Sequence, residues 1–300
     1  MDGTGDGPGP GRVVVGVDGS LSAQAAVMWA AHEAVLRGGT LCLVHATDVE
    51  AASRFLAPTE AGRARQAGRE LLDRTAEAVA ARHPDLVVVT ELGGGSPVEA
   101  LRGAAALSGT IVVGHRGRGG FSSLLLGSVG LELAAGATTP VVVVRGAVEG
   151  AEAGAVLVAV RDENDVDRAR AAAREALLRK VPLRLLHVWG TDPHAGVRGA
   201  LRDDTVGNAG AHVRALVEVI DRIREEFPEL ALDAEGEKSR SVPGALVEAS
   251  RRADLLVVGG RRAPGYLGPT LGRTTLGLLQ HAHCPVELIP WHGPGHGSTS

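Results

Sequence analysis

Aromatic side chains are scarce: three Trp, three Phe and one Tyr make up 2% of 300 residues. That is too few for the stacking platforms on which single-stranded nucleic acids are held. Positive charge is not in surplus either. Lys and Arg number 31 against 35 Asp and Glu, a net charge of −4, so a general nucleic-acid binder is excluded and no nucleic-acid partner is expected. Cysteine occurs twice, as Cys42 and Cys284. Two cysteines build no disulfide framework, which suits a reducing interior and a cytoplasmic location. No uninterrupted apolar run approaches the roughly 18–20 residues that span a bilayer, so no membrane partner is expected. Residues 1–11 are rich in Gly and Pro, carry two aspartates and lack a cationic start, unlike a signal peptide. Two phosphate-binding signatures are also missing: there is no Gly-x4-Gly-Lys-Ser/Thr, and no Gly-x-Gly-x-x-Gly after the first strand. These absences argue against a P-loop nucleotidase and a dinucleotide dehydrogenase.

What is present is a globular composition, 44% hydrophobic and 22% charged, long enough for two domains. Short β-branched runs alternate with Ala-rich segments. Arg12–Val17 reads as a strand broken by Asp18-Gly19-Ser20. Ser22 is expected to cap a helix over Ala23–Arg37, stopped by Gly38-Gly39. Leu41–Ala46 is a second strand, Thr59–Arg82 a long helix and Leu86–Glu91 a third strand. Ser96-Pro97 with Glu99 carries the marks of a capped helix start. Thr110–Val113 is a fourth strand, Ser128–Gly136 a short helix and Pro140–Arg145 a fifth strand.

The order then repeats: strands at Val156–Val160, Leu183–Val188, Leu230–Glu235, Asp254–Val258 and Pro285–Ile289, with helices at Asp167–Arg179, Thr205–Phe227 and after Ser241. Gly114 and Gly259, Gly127 and Gly272, and Pro140 and Pro285 recur at a constant interval of 145 positions. So long a period is domain duplication rather than a solenoid. The expected organisation is a flexible lead-in over 1–11, a first domain over 12–146, a linker over 147–154, a second domain over 155–291 and a flexible tail over 292–300. Strand–helix alternation implies doubly wound parallel sheets with helices on both faces, and ligands then sit at the carboxyl ends of strands where strand order reverses.

The richest stretch runs from Val112 to Val129. A buried strand ends in Gly114-His115-Arg116-Gly117-Arg118-Gly119-Gly120, and a new helix opens at Gly127-Ser128. Glycines let a backbone approach a ligand closely, and a helix N-terminus offers N–H groups and partial positive charge, the ingredients of a phosphate site. Arg116 and Arg118 either add positive charge there or simply face solvent.

The spacing Gly114-x2-Gly117-x9-Gly127-Ser128, together with Val15-Gly16-Val17-Asp18-Gly19-Ser20 at the front, resembles the ATP-binding pattern of the universal stress protein family. The resemblance covers nearly the whole chain, as two such domains in tandem. It implies a five-stranded parallel sheet of order 3-2-1-4-5 in each, with strands one and four adjacent at the reversal point. It further implies ATP, with or without Mg2+, as the bound nucleotide. Asp18, with Val17, Gly19 and Ser20 around it, would meet the ribose or adenine end. Val44 and His45 would border the adenine. Gly114, His115, Arg116, Gly117 and Arg118, with Gly127, Ser128 and Val129, would cradle the phosphates. The second half departs from the pattern: Arg262 stands for Gly117, Arg273 for Ser128 and Arg161 for Asp18, so its nucleotide binding is expected to be weakened or altered. Partners implied are an adenine nucleotide, the other domain of the same chain, and a second chain in a homodimer.

Other clusters carry less. His281-Ala282-His283-Cys284 hints at a metal site, but neighbours in sequence rarely converge on one ion. His45 and His187 stand at matching strand ends, either packed or touching a ligand. Trp29 reads as helix packing. Asp162, Glu163 and Asp165 are explained by the charge preference of a helix start. No nucleophile–base–orienter triad is visible, so no catalytic residue is assigned. Beside a regulatory ATP binder stand two alternatives: a slow ATPase or autophosphorylating enzyme at the same site, and a nucleotide-free interaction module.

Overall fold

The computed structural model describes residues 11–47, 58–106, 109–117, 126–145, 154–190, 205–260 and 271–290. The chain divides into two units, Met1–Val144 and Arg145–Ser300. The first holds strands β1 (Val13–Gly16), β2 (Leu41–Thr47), β3 (Val88–Gly94), β4 (Thr110–Gly114) and β5 (Val141–Val144). Its helices are α1 (Leu21–Leu36), α2 (Pro58–Arg82), α3 (Pro97–Ala105) and α4 (Ser128–Ala135). The pairings β3-β2, β2-β1, β1-β4 and β4-β5 are all parallel. The order 3-2-1-4-5 puts β1 between β2 and β4, with Val15 level with Leu43 and Val112. The crevice between β1 and β4 is therefore the reversal point.

The second unit repeats the plan with β6 (Val156–Val160), β7 (Leu183–Gly190), β8 (Leu232–Ser239), β9 (Leu255–Gly259) and β10 (Val286–Ile289). Its helices are α5 (Val166–Arg179), α6 (Thr205–Glu226), α7 (Val242–Ala249) and α8 (Arg273–His281). Its pairings are likewise parallel, in the corresponding order β8-β7-β6-β9-β10.

Val13, Val14 and Val15 of β1 are wholly buried, as are Val112 of β4 and Leu157 and Val158 of β6. Runs apolar on both faces suit strands covered by helices on each side. Small residues let the helices come close: Ala26, Ala30, Ala31 and Ala34 of α1 are fully buried, and Trp29 packs among them. Each unit also buries a glutamate near the end of its first helix, Glu33 bonded to Arg37 and Glu175 to Arg179, one turn along. A carboxylate taken out of water at that depth requires such a partner.

Several boundaries differ from expectation. The first helix is capped by Ser20, whose hydroxyl accepts from the Ala23 N–H, and not by Ser22. The third strand lies later than Leu86–Glu91, at Val88–Gly94, because it is a half-exposed edge strand. Backbone pairing with β2 outweighs side-chain hydrophobicity there, and Val87 and Val89 are left 61% and 39% exposed. β8 shifts the same way from Leu230–Glu235 to Leu232–Ser239, a polar stretch paired with β7. The Ser96–Glu99 capping box forms as read, each side chain accepting from the other residue's N–H. The lead-in up to residue 10, the linker over 147–153, the tail over 292–300, Arg118 and Arg262 lie outside the described residues.

Candidate functional site

The site is built by three chain reversals, after β1, after β4 and at the start of α4, with the end of β2 alongside. The first follows β1. Val17 is bonded into the sheet, its N–H donating to the Val44 carbonyl at 2.8 Å. Asp18 then turns the chain: its Oδ1 accepts from the Ser20 N–H at 2.9 Å, while Gly19 takes a φ of +80°. That conformation is cheap for glycine and strained for other residues. The turn delivers the chain into the Ser20 cap of α1 and leaves the Asp18 carboxylate half-buried at the mouth of the β1–β4 crevice.

The second reversal follows β4. Gly114 ends the strand, and the chain continues through His115, Arg116 and Gly117. A Cβ built on Gly117 would lie 2.7 Å from Asp18 Oδ2, so the carboxylate occupies the space a side chain at 117 would need. Asp18 and Gly117 are thus brought face to face across the crevice. The third reversal opens α4. Gly127 donates its N–H to the His115 carbonyl at 2.9 Å, which ties the start of α4 to the loop after β4. Gly127 caps α4 without a side-chain bond, and Ser128 is exposed on its first turn. The first N–H groups of a helix have no partner within it, so this turn presents donors and partial positive charge toward the loop.

On the far side of β1, His45 places Nδ1 2.6 Å from the Val17 carbonyl, so that nitrogen carries a proton. Gly68 of α2 admits the ring, since a Cβ there would lie 2.7 Å from His45 Cδ2. The structure therefore brings together Val17, Asp18, Gly19 and Ser20, Val44 and His45, Gly114 to Gly117, and Gly127 to Val129.

Two residues that the sequence did not assign to the site enter here. Ser22, freed from capping, accepts from the Arg116 N–H at 3.2 Å and lies 3.0 Å from His115 Nδ1. Arg102 of α3 donates to the Gly136 carbonyl at 3.2 Å, closing the carboxyl end of α4. Nothing in one sequence distinguishes Ser22 from Ser20 as the cap, or marks Arg102 as reaching another helix.

The second unit is arranged differently. Arg161 follows β6 where Asp18 follows β1, and its guanidinium bonds Asp162 at 2.7 Å. Burial raises the Asp162 pKa, but the bond and charge of Arg161 outweigh it, and the carboxyl is held below its ordinary value. Asp162 also accepts from the Asn164 N–H, capping a short 3-10 turn over Glu163–Asp165. Asp165 corrects the view that helix-start charge explains this cluster. It is fully buried, makes no side-chain cap bond, accepts from the Arg161 N–H at 2.6 Å and pairs with Arg168 at 2.6 Å. Arg168 in turn lies over Gly259, the counterpart of Gly114; a Cβ on Gly259 would be 2.5 Å from the guanidinium carbon. An internal ion pair thus covers the end of β9.

The remaining clusters resolve into packing. His187 Nδ1 lies 2.9 Å from the Val160 carbonyl, and its ring stands 5.5 Å from that of Trp189. His281 and His283 are exposed while Cys284 between β10 and α8 is buried, so the three do not converge. Among the described residues no group of three or more His, Cys, Asp or Glu is placed to hold a metal ion. Among them, too, no helix is long and apolar enough to cross a membrane.

The Universal stress protein family model matches residues 10–145 and again 153–290. A universal stress protein of Mycolicibacterium smegmatis is 30% identical over 290 residues, covering 92% of this chain and 96% of the relative. One from Mycobacterium tuberculosis is 31% identical over 284 residues, covering 91% of this chain and 94% of the relative. The crystal structure of a universal stress protein from Archaeoglobus fulgidus DSM 4304 shares the fold, with a TM-score of 0.67 at 17% identity over 94% of this chain and 99% of that one. The chain belongs to the universal stress protein family, as two of its domains in tandem.

Proposed function

We propose that the first domain binds ATP at the β1–β4 crevice, and that binding serves a regulatory or protective role in the cytoplasm rather than metabolic turnover. The observation that carries this reading is the meeting of Asp18, Gly117 and the Gly127-Ser128 helix start at one crevice mouth. The Gly114–Gly117 loop and the first turn of α4 supply backbone N–H groups suited to phosphate oxygens. The Asp18 carboxylate is an acceptor, suited to ribose hydroxyls, and the β2 end at Val44 and His45 lies beside Val17 for the base. Mg2+ would arrive on the triphosphate. Both cysteines are free and buried, in keeping with a reducing compartment.

In the second domain Asp18 is replaced by Arg161, and Arg168 covers Gly259. This favours nucleotide binding mainly or only in the first. Calorimetric titration of ATP tests the proposal, with Asp18→Ala and Gly127→Ala as comparison. The Gly127 variant is informative because its Cβ would meet neighbours only at 3.7 Å and beyond. It should fold normally yet intrude where the phosphates are to lie, weakening binding at least tenfold, a loss of about 1.4 kcal/mol. Absence of binding by the parent protein at millimolar ATP would defeat the reading.

A further inference from the structure

Ser22 was expected to cap a helix and does not, yet it is half-buried and engaged in two polar contacts across the domain. Its Oγ accepts the Arg116 N–H at 3.2 Å and lies 3.0 Å from His115 Nδ1, residues more than ninety positions away in sequence. Gly114 makes the approach possible. A Cβ at 114 would stand 2.5 Å from Ser22 Oγ and 2.6 Å from the Ser22 carbonyl carbon and oxygen. The first turn of α1 is thereby seated directly on the end of β4. We propose that Ser22 is a positioning residue for the phosphate loop: one hydroxyl latches both the backbone at Arg116 and the ring at His115 before any ligand arrives.

The hydrogen-bond inventory determines what the latch does. Arg116 N–H can only donate, so Ser22 Oγ accepts there. Oγ keeps a second lone pair and one proton, so it meets His115 Nδ1 as acceptor or donor according to the ring tautomer, and the contact is made either way. The loop is held at two successive residues by a group on a rigid helix, and the ordering it needs is made in the free protein rather than at the expense of affinity. His45 is held separately, its Nδ1 donating to the Val17 carbonyl. The second domain has lost the device. Gly260 stands where His115 would be, and the residue over Gly259 is Arg168, clamped by Asp165.

The inference rests on the nucleotide-site reading, and its test separates the two. In the ligand-free full chain, Ser22→Ala should speed exchange of the Arg116 amide while leaving amides of β1 and β4 protected. The 15N signal of His115 Nδ1 should move in the variant, because its hydrogen-bond partner is removed. With ATP, Ser22→Ala should bind about tenfold more weakly, the combined loss of two hydrogen bonds. Ser22→Thr, which keeps the hydroxyl, should restore both amide protection and affinity. An unchanged Arg116 amide in Ser22→Ala, or an unmoved His115 Nδ1 signal in that variant, would overturn the latch. If the parent binds no ATP while the amide and nitrogen signatures appear as stated, the nucleotide reading fails and the latch stands.

Discussion

Replacing Gly114 by alanine tests whether the closeness of α1 to β4 is as described. The added methyl would meet Ser22 Oγ at 2.5 Å and the Ser22 carbonyl carbon and oxygen at 2.6 Å. A hydroxyl can rotate aside, but the backbone of a helix first turn cannot, so α1 must move off β4 or the strand end must yield. Overpacking of a well-filled interior costs about 1–3 kcal/mol, and contact with backbone on two of three neighbours places this substitution near the upper figure. For a domain of this size, about 3 kcal/mol lowers the melting temperature by roughly 6–12 °C. Gly103 is the matched control. It lies exposed in α3 with nothing within 4 Å of a built Cβ. Gly103→Ala should therefore stabilise by about 0.5–1 kcal/mol through helix propensity alone. Scanning calorimetry of the full chain reads both. A Gly114→Ala protein that melts within a degree or two of the parent would show that α1 is not seated against β4, and the site geometry would need redrawing.

The two thiols should be silent in the folded protein. Burial pushes the Cys284 thiol up to about 12 and raises Cys42 against the opposing charge of Arg12. A disulfide reagent at about pH 8 should then release almost nothing until denaturant is added, since the thiolate is the reacting species; rapid labelling of native protein would contradict the burial. The Arg170–Glu226 pair should make stability depend on acid. Bonds from Arg170 hold the Glu226 carboxyl below its ordinary value. Its contribution is present above the unfolded carboxylate pKa and is lost as pH falls through the folded one. Urea midpoints of Glu226→Gln and parent should differ at neutral pH and converge as acid protonates the Glu226 carboxyl; a constant gap would rule out the ion pair as the cause.

Much of this arrangement was legible in the chain. The Val-rich runs of β1, β4 and β6, and the alternation around them, led to the doubly wound sheets, and the Gly114–Ser128 spacing pointed to the crevice. The capping box at Ser96 was legible because both of its bonds are local. Features depending on distant partners were not. Ser20 and Ser22 are equivalent as cap residues until the turn at Gly19 decides between them. Asp165 and Arg168, three apart at a helix start, look like a surface pair, and only the tertiary fold, which sets Arg168 over Gly259 and buries Asp165, shows otherwise. The edge strands β3 and β8 were misplaced because pairing on one side demands hydrogen bonds, not a continuous apolar run.

The account turns on asymmetry between two copies of one fold, and the number of nucleotides per chain tests it most directly. Equilibrium dialysis with labelled ATP should give one bound nucleotide per chain, abolished by Asp18→Ala and unaffected by Arg168→Ala. Two equivalent nucleotides per chain, or one that survives loss of Asp18, would contradict it.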